Sequence, residues 1–177
     1  MSVYTAFSGH MRLAVGDLAE TASAAWRAHA ADLEGPILVF DRATGAVVDL
    51  DLRGAEEDVR GRYAEAAPTA RRGRPSLGVV AREVTLLPRH WDWLAKQPGG
   101  ASTTLRRLVD EARKSDASAA RERTDATYRF ISGIGGDLPG FEAYSRALFA
   151  GDEEMQRQTS AGWPEDIRDE LAVMISR

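Results

Sequence analysis

The chain has 177 residues, of which 44% are hydrophobic and 28% charged, a balance typical of one or two compact domains. It contains no cysteine, which excludes a disulfide scaffold, a thiolate metal site and a cysteine nucleophile. Residues 1–30 lack a basic stretch followed by an apolar run, and no apolar run approaches the roughly 18 residues of a membrane span. We therefore expect a cytoplasmic protein with no membrane segment.

The formal net charge of −4 is unevenly distributed along the chain. Residues 1–70 hold 6 Arg and 11 Asp+Glu, residues 71–123 hold 12 Lys+Arg and 6 acids, and residues 124–177 hold 5 Arg and 10 acids. The three balances are −5, +6 and −5, so only the middle segment is basic. A basic segment suits a polyanion such as DNA, and the same cations equally suit solvated helix faces paired with nearby acids.

Residues 1–66 are predicted to form a small α+β domain with the element order ββαββα. Runs of strand-forming residues at 3–7 and 11–15 surround a Ser-Gly-His turn and predict a first hairpin. Runs at 37–40 and 47–52 predict a second hairpin, in which apolar side chains alternate with solvent-facing aspartates.

Two helices complete this domain. Asp17, with Glu20 three residues later, is an acidic variant of the capping box and marks the start of the first helix. Acidic residues at 56–58 suit the positive N-terminal end of the second helix, which is expected to bury Val59 and Tyr63. The apolar face of the first helix is predicted to consist of Leu18, Ala22, Ala25, Trp26 and His29.

The remaining chain is predicted as a linker, a strand–helix–helix element and a helical segment. Residues 67–78 are rich in Pro, Gly and Arg without periodicity, which indicates a basic linker. Residues 79–116 begin with a β-rich run that ends at Pro88, a residue favoured in the first turn of a helix, and Ser102 is expected to cap a second helix. Residues 117–177 are expected to form three or four short helices. The apolar stripes of the two middle helices are Leu87, Trp91, Leu94 and Leu105, Leu108, Val109, Ala112.

The strand, proline, helix, glycine turn and Ser-capped helix within residues 80–114 resemble the ribbon-helix-helix fold of bacterial repressors and antitoxins. In that fold, two copies pair their strands into an antiparallel ribbon that enters the major groove, while the N-termini of the second helices hold phosphates. The resemblance implies a homodimer that binds double-stranded DNA. Counting back from Pro88, it implies Arg82 as the base-reading side chain and further DNA contacts from Ser102, Thr103 and Arg106.

A second DNA-binding pattern lies in the predicted linker. Arg72-Gly73-Arg74-Pro75 matches the core of an AT-hook, in which arginines on either side of a glycine lie in a narrow A·T minor groove. We expect Arg71, Arg72 and Arg74 to contact phosphates or the minor groove beside the ribbon. A solvated basic linker is the alternative interpretation.

Several short segments, spread over nearly the whole chain, match the pattern of one bacterial family. On these residues the chain resembles the family called domain of unknown function 2239. The resemblance supports the segmentation and implies no activity. The segments that carry it are 4–7, 35–41, 48–54, 73–75, 77–93, 136–141 and 148–152.

No enzymatic, metal or cofactor site is predicted. Asp49 and Asp51 share a strand face with Asp41 across the hairpin, which fits either a weak divalent-cation site or simply the solvent face of the hairpin. An enzyme would need a pocket that gathers these aspartates and a histidine. None of the histidines has the spacing of metal ligands; they are His10, His29 and His90.

The sequence therefore predicts a non-enzymatic, dimeric DNA-binding regulator. Trp93 lies off its helix stripe and is the candidate for a dimer or domain contact. The alternative function is a protein-interaction or scaffold module in which the strand–helix–helix element is structural core. The two differ in the position of strand 82–87, which pairs with its own copy in the first case and joins the N-terminal sheet in the second.

Overall fold

The protein is a mixed α+β protein, as predicted. Its computed structural model describes residues 2–64, 80, 82–113 and 115–176. That part of the chain contains three strands and eight helices: β1 Tyr4–Ser8, β2 Met11–Gly16, α1 Leu18–Ala30, β3 Ile37–Asp41, α2 Glu56–Tyr63, α3 Pro88–Ala95, α4 Gly100–Arg113, α5 Asp116–Ile134, α6 Phe141–Ala150, α7 Glu153–Ser160 and α8 Glu165–Ile175.

The chain divides into two compact units. The first unit combines Met1–Glu65 with Ala120–Arg177, and the second lies within Ala66–Ala119. The N-terminal strands and the C-terminal helices, which the sequence presented as separate segments, therefore belong to one unit with a shared core.

The first unit is built around an antiparallel sheet in the order β2-β1-β3. One face of the sheet packs on α1, where Ala25 contacts the cluster of Ala6 and Val39. The other face presents Phe7 and Phe40 to the C-terminal helices. Because neighbouring residues of a strand point to opposite faces, Ala6 and Phe7 serve the two layers in turn.

An aromatic cluster joins the sheet to α5. The ring centroids of Phe40 and Phe130 lie 4.9 Å apart in an edge-to-face arrangement, and those of Phe7 and Phe130 lie 5.8 Å apart. All three side chains are buried. Edge-to-face contacts of this kind add stabilisation beyond the burial of apolar area.

The first hairpin and the start of α1 confirm the sequence predictions. Asp17 is the N-cap of α1, and its carboxylate accepts a hydrogen bond from the Glu20 backbone N–H at 2.8 Å. The predicted apolar face is only partly right, because Ala22 and Ala25 are buried whereas His29 is exposed.

The predicted second hairpin is wrong beyond its first residue. Residues 47–52 contribute a single bridge, between Phe40 and Val47, and then leave the sheet. Side chains of α2 bind the backbone there instead: the Tyr63 hydroxyl accepts from the Asp51 N–H at 2.6 Å, and Arg62 donates to the Asp51 carbonyl. The predicted alternation nevertheless holds, since the apolar members of the segment face the core; they are Val48, Leu50 and Leu52.

The C-terminal segment is helical. Its first helix, α5, runs from Asp116 to Ile134. It ends at the glycine-rich segment 133–136, where the Gly135 N–H donates to the Ile131 carbonyl at 2.8 Å. Helices α6, α7 and α8 complete this part of the first unit.

The second unit contains the two predicted helices but not the predicted strand. Residues 82–87 have no regular secondary structure and pair with no strand in the described part of the chain. Helix α4 begins at Gly100, so Ser102 lies within its first turn and is not its N-cap. The ribbon-helix-helix arrangement is therefore not present in the described part of the single chain.

Candidate nucleic-acid interface

The turn between α3 and α4 is set by two glycines. Pro88 occupies the start of α3, and the His90 N–H donates to the Leu87 carbonyl at 2.8 Å. After α3, Gly99 and Gly100 adopt φ angles of +83° and +74°, a region that other residues enter at a cost. The pair of glycines thus fixes where α4 begins.

The predicted apolar stripes of α3 and α4 are mostly exposed. Leu94 alone of the α3 stripe is buried, whereas Trp91 retains 41% of its accessible surface. On α4, Leu108 and Val109 retain 38% and 55%. An amphipathic helix normally buries its apolar face, whereas this helix pair leaves its apolar face exposed among the described residues.

The predicted DNA-contacting side chains of the described residues are all exposed. Ser102, Thr103 and Arg106 lie together on the first two turns of α4, and Arg106 Nε donates to the Ser102 carbonyl at 3.2 Å. Arg82 lies in the segment without regular secondary structure before α3. Neither Arg82 nor Arg106 has a carboxylate within 4.0 Å in the described part of the chain. The other three predicted contacts lie outside the described residues; they are Arg71, Arg72 and Arg74.

Two of the three aspartates considered for a cation site, Asp41 and Asp51, are engaged elsewhere. Arg53 binds both Asp51 carboxylate oxygens, at 2.8 and 2.7 Å, and this guanidinium holds the pKa of Asp51 well below its usual range. Asp41 accepts from the Ala43 N–H at 2.7 Å and so closes its own turn. In the described ranges, no three His, Cys, Asp or Glu side chains gather as metal ligands.

The histidines are equally dispersed. His10 Nε2 lies 3.0 Å from the Ile134 carbonyl, which places its ring in a structural contact between the first hairpin and the end of α5. His29 and His90 are exposed on α1 and α3. None of the three lies in a cluster that suggests acid–base chemistry.

A buried carboxylate is the main polar feature that the sequence did not reveal. Glu170 of α8 is 1% exposed and accepts hydrogen bonds from Arg42 Nε at 2.5 Å and Nη2 at 2.7 Å. The Thr5 hydroxyl donates to it at 3.1 Å, and an Arg12 nitrogen lies 3.8 Å away. These donors come from β1, β2 and the end of β3, so the carboxylate ties α8 to the sheet. Separations of 128 and 165 residues left no local pattern by which to predict the pairing.

The structure thus defines a mixed α+β protein in which a three-stranded sheet carries α1 on one face and C-terminal helices on the other. The chain belongs to the family described as "uncharacterized protein conserved in bacteria (DUF2239)", whose family model matches residues 3–175. This confirms the family resemblance and leaves the ribbon-helix-helix resemblance without support. No curated protein and no solved structure matches the chain. Within the described ranges, no helix is long and apolar enough to cross a membrane.

Proposed function

We propose that the protein is a non-enzymatic homodimer that binds double-stranded DNA through its second unit. The observation that carries this proposal is the exposed apolar face of α3 and α4. Two exposed arginines without a carboxylate partner in the described residues, Arg82 and Arg106, lie in the same unit. In this proposal the apolar face forms the dimer interface, and the arginines contact the DNA.

The second copy is the occupant that fits the exposed face. Residues 82–87 belong to no strand, five of their six side chains are exposed, and all three strands of the sheet in the described residues come from the first unit. A segment of strand-forming residues whose backbone is not in a sheet can pair with an identical segment. Pairing two copies would complete the ribbon and bring Leu108 and Val109 of each copy under cover.

The charge distribution favours a polyanion at the same unit. Ala66–Ala119 holds 10 Lys+Arg and 5 Asp+Glu, a balance of +5, although the whole chain is at −4. In the proposed complex, Arg82 reads bases in the major groove, and the start of α4 contacts phosphate through Ser102, Thr103 and Arg106. Arg71, Arg72 and Arg74 contact phosphates or the adjacent minor groove.

The test of DNA binding is a salt titration with a random duplex, followed by fluorescence anisotropy. Wild-type affinity should fall steeply with salt, and each lost phosphate contact should reduce the slope of log K against log salt by about 1. We expect Arg72→Ala/Arg74→Ala and Arg106→Ala each to flatten the slope. Arg146→Ala, which removes an exposed arginine of α6 paired with Glu142, is the matched control. Absence of binding, or a slope that no variant changes, would refute the proposal.

The test of the dimer is the molar mass in solution, measured by light scattering. Val109→Lys places a charge on the exposed face and should give a monomer with unchanged helicity. Val173→Lys on α8 makes the same change at a side chain that is 37% exposed and should leave the dimer intact. A wild-type protein that is monomeric at high concentration would contradict this part of the proposal.

The same face also defines the second candidate function, a protein-interaction module. The exposure of residues 82–87 disfavours the version in which this segment is buried core. A dimer without any affinity for DNA would favour the interaction module over the DNA-binding protein.

A further inference from the structure

A cleft of about 580 Å³ lies between α7 and α8 in the first unit. Its volume falls within the range of sites for small molecules. The inner wall is formed by Leu171 and Ile175 of α8 and by Tyr144 of α6. No role in the proposed DNA binding falls to these residues.

The cleft adjoins polar groups that lack partners. Among the described residues, only three side chains have a buried polar atom without a hydrogen bond, and Tyr144 is one of them. A second, Thr127, lines a neighbouring cleft of about 170 Å³ that shares Gln156 and Ile175 with the first. Gln156 is itself buried, and its amide donates only to the Ala147 carbonyl at 3.4 Å. Native structures satisfy nearly all buried polar groups, so the unpaired hydroxyls of Tyr144 at this cleft and Thr127 at its neighbour point to a missing partner.

Tyr144 is suited to donate a hydrogen bond to such a partner. Its side chain is 2% exposed and packs on Trp163 at a centroid distance of 4.8 Å. Burial raises the pKa of the Tyr144 hydroxyl, which further favours the protonated form that donates a hydrogen bond. A ligand atom that accepts a hydrogen bond from this hydroxyl would satisfy a group that the free protein leaves unpaired.

The charged residues of the two clefts are mostly cationic. Arg157 and Arg168 line the larger cleft and Arg123 the smaller one, against the single acid Glu153. Arg157 is paired with Glu154 at 2.6 Å. Arg168 Nε donates to the Trp163 carbonyl at 3.2 Å, and no carboxylate lies within 4.0 Å of this guanidinium in the described ranges, so its two terminal nitrogens can bind an anion.

We propose that this cleft binds a small monocarboxylic acid with an apolar body and a second polar group at its far end. The carboxylate binds Arg168, the apolar body lies on Leu171 and Ile175, and the far polar group accepts from the Tyr144 hydroxyl. Arginine binds carboxylates with two parallel hydrogen bonds, which fixes the orientation of the ligand. The site rests on the first unit alone and does not depend on the proposed DNA binding.

The test uses para-hydroxyphenylpropionate as the probe, with binding to the full chain measured by ligand-observed NMR and calorimetry. We expect saturable binding below about 10 mM. Phenylpropionate, which lacks the far hydroxyl, should bind about 3- to 10-fold more weakly, and the uncharged para-hydroxyphenylpropionamide should lose a similar factor. No saturation by the probe would overturn the proposal.

Variants assign each end of the probe. Tyr144→Phe should remove the advantage of the hydroxylated probe, and Arg168→Gln should remove the advantage of the carboxylate over the amide. Arg60→Gln, which changes an exposed arginine of α2 outside the cleft, should bind the probe as wild type does. Equal affinities in all three variants would place the probe elsewhere and overturn the proposal.

A blocked cleft provides a readout that does not rely on either of these variants folding. Ala172 is an exposed residue of α8 that lines the cleft, so Ala172→Trp fills the space without disturbing the core. Loss of probe binding in Ala172→Trp, with unchanged circular dichroism, supports the site, and retained binding overturns it.

Discussion

Removing Arg42 should destabilise the protein strongly, because it leaves the Glu170 carboxylate buried without its main partner. Arg42→Met keeps much of the side-chain length and removes two charge-assisted hydrogen bonds, at 2.5 and 2.7 Å. Breaking a buried ion pair from one side costs about 3–5 kcal/mol. Arg12 stays 3.8 Å from the carboxylate and Thr5 still donates to it, so we expect a loss near the lower end, about 3 kcal/mol.

The assay is urea unfolding followed by circular dichroism, with thermal unfolding as a second measurement. A loss of about 3 kcal/mol corresponds to a fall in Tm of about 6–12 °C for a chain of this size. The matched control is Arg146→Met, since Arg146 is 74% exposed and pairs with Glu142 only at 3.8 Å. That variant should change the free energy of unfolding by less than about 0.5 kcal/mol.

A double variant separates the cost of an unpaired charge from the net contribution of the pair. Arg42→Met/Glu170→Met removes both charges, and replacing a buried ion pair by apolar residues is often neutral or stabilising. The double variant should therefore be more stable than Arg42→Met alone. An Arg42→Met loss below about 1 kcal/mol at unchanged m-value, or a double variant less stable than the single one, would refute this account of Glu170.

Three further predictions follow from local geometry. Asp17→Ala should cost about 1 kcal/mol in urea unfolding because α1 loses its N-cap, and Asp17→Asn, which still caps, should cost less. Gly45→Ala should lower Tm far more than Gly151→Ala, although the two glycines have nearly the same φ angles, +68° and +69°. A Cβ at Gly45 would lie 1.9 Å from the Ala126 carbonyl oxygen, whereas a Cβ at Gly151 would have no atom within 4 Å. Similar losses of Tm in the two variants would contradict this prediction. Because the pKa of Tyr144 is raised in the folded protein, the folded state binds the hydroxyl proton more tightly than the unfolded state does. The stabilisation from this proton is therefore fully present below about pH 10 and is lost as the pH rises further. Tyr144→Phe should show a smaller alkaline loss than wild type, and identical profiles would argue against the burial of this hydroxyl.

Local signals in the sequence were sufficient for the first hairpin and for the start of α1. The alternation around Gly9 and the carboxylate of Asp17 act within a few residues, so their structural consequences do not depend on the rest of the chain. The prediction of the second hairpin was wrong because the side chains of Tyr63 and Arg62, more than ten residues later, bind the N–H and the carbonyl of Asp51, which a strand would have used for pairing.

Long-range polar contacts were not predictable from one sequence. Nothing near Glu170 in the chain distinguishes it from the acids beside it, and only the fold brings Arg42 and Thr5 to its oxygens. The small-molecule cleft has the same origin, since Tyr144 and Arg168 lie on different helices and carry no motif. Both features depend on how α8 packs in the first unit.

The apolar stripes of α3 and α4 show what hydrophobic periodicity alone does not predict. The spacing of Leu105, Leu108 and Val109 correctly identifies one face of a helix, but it does not say whether the cover is the same chain or a second one. Because Leu108 and Val109 are exposed in a single copy, the stripe bears on the assembly of the protein rather than on the folding of one chain. If a second copy covers this face, the +5 balance of each copy is brought together in one dimer, and the salt dependence of DNA binding should then depend on dimer formation. Val109→Lys should therefore weaken DNA binding although it adds a positive charge, an outcome that simple charge attraction by a monomer would not produce.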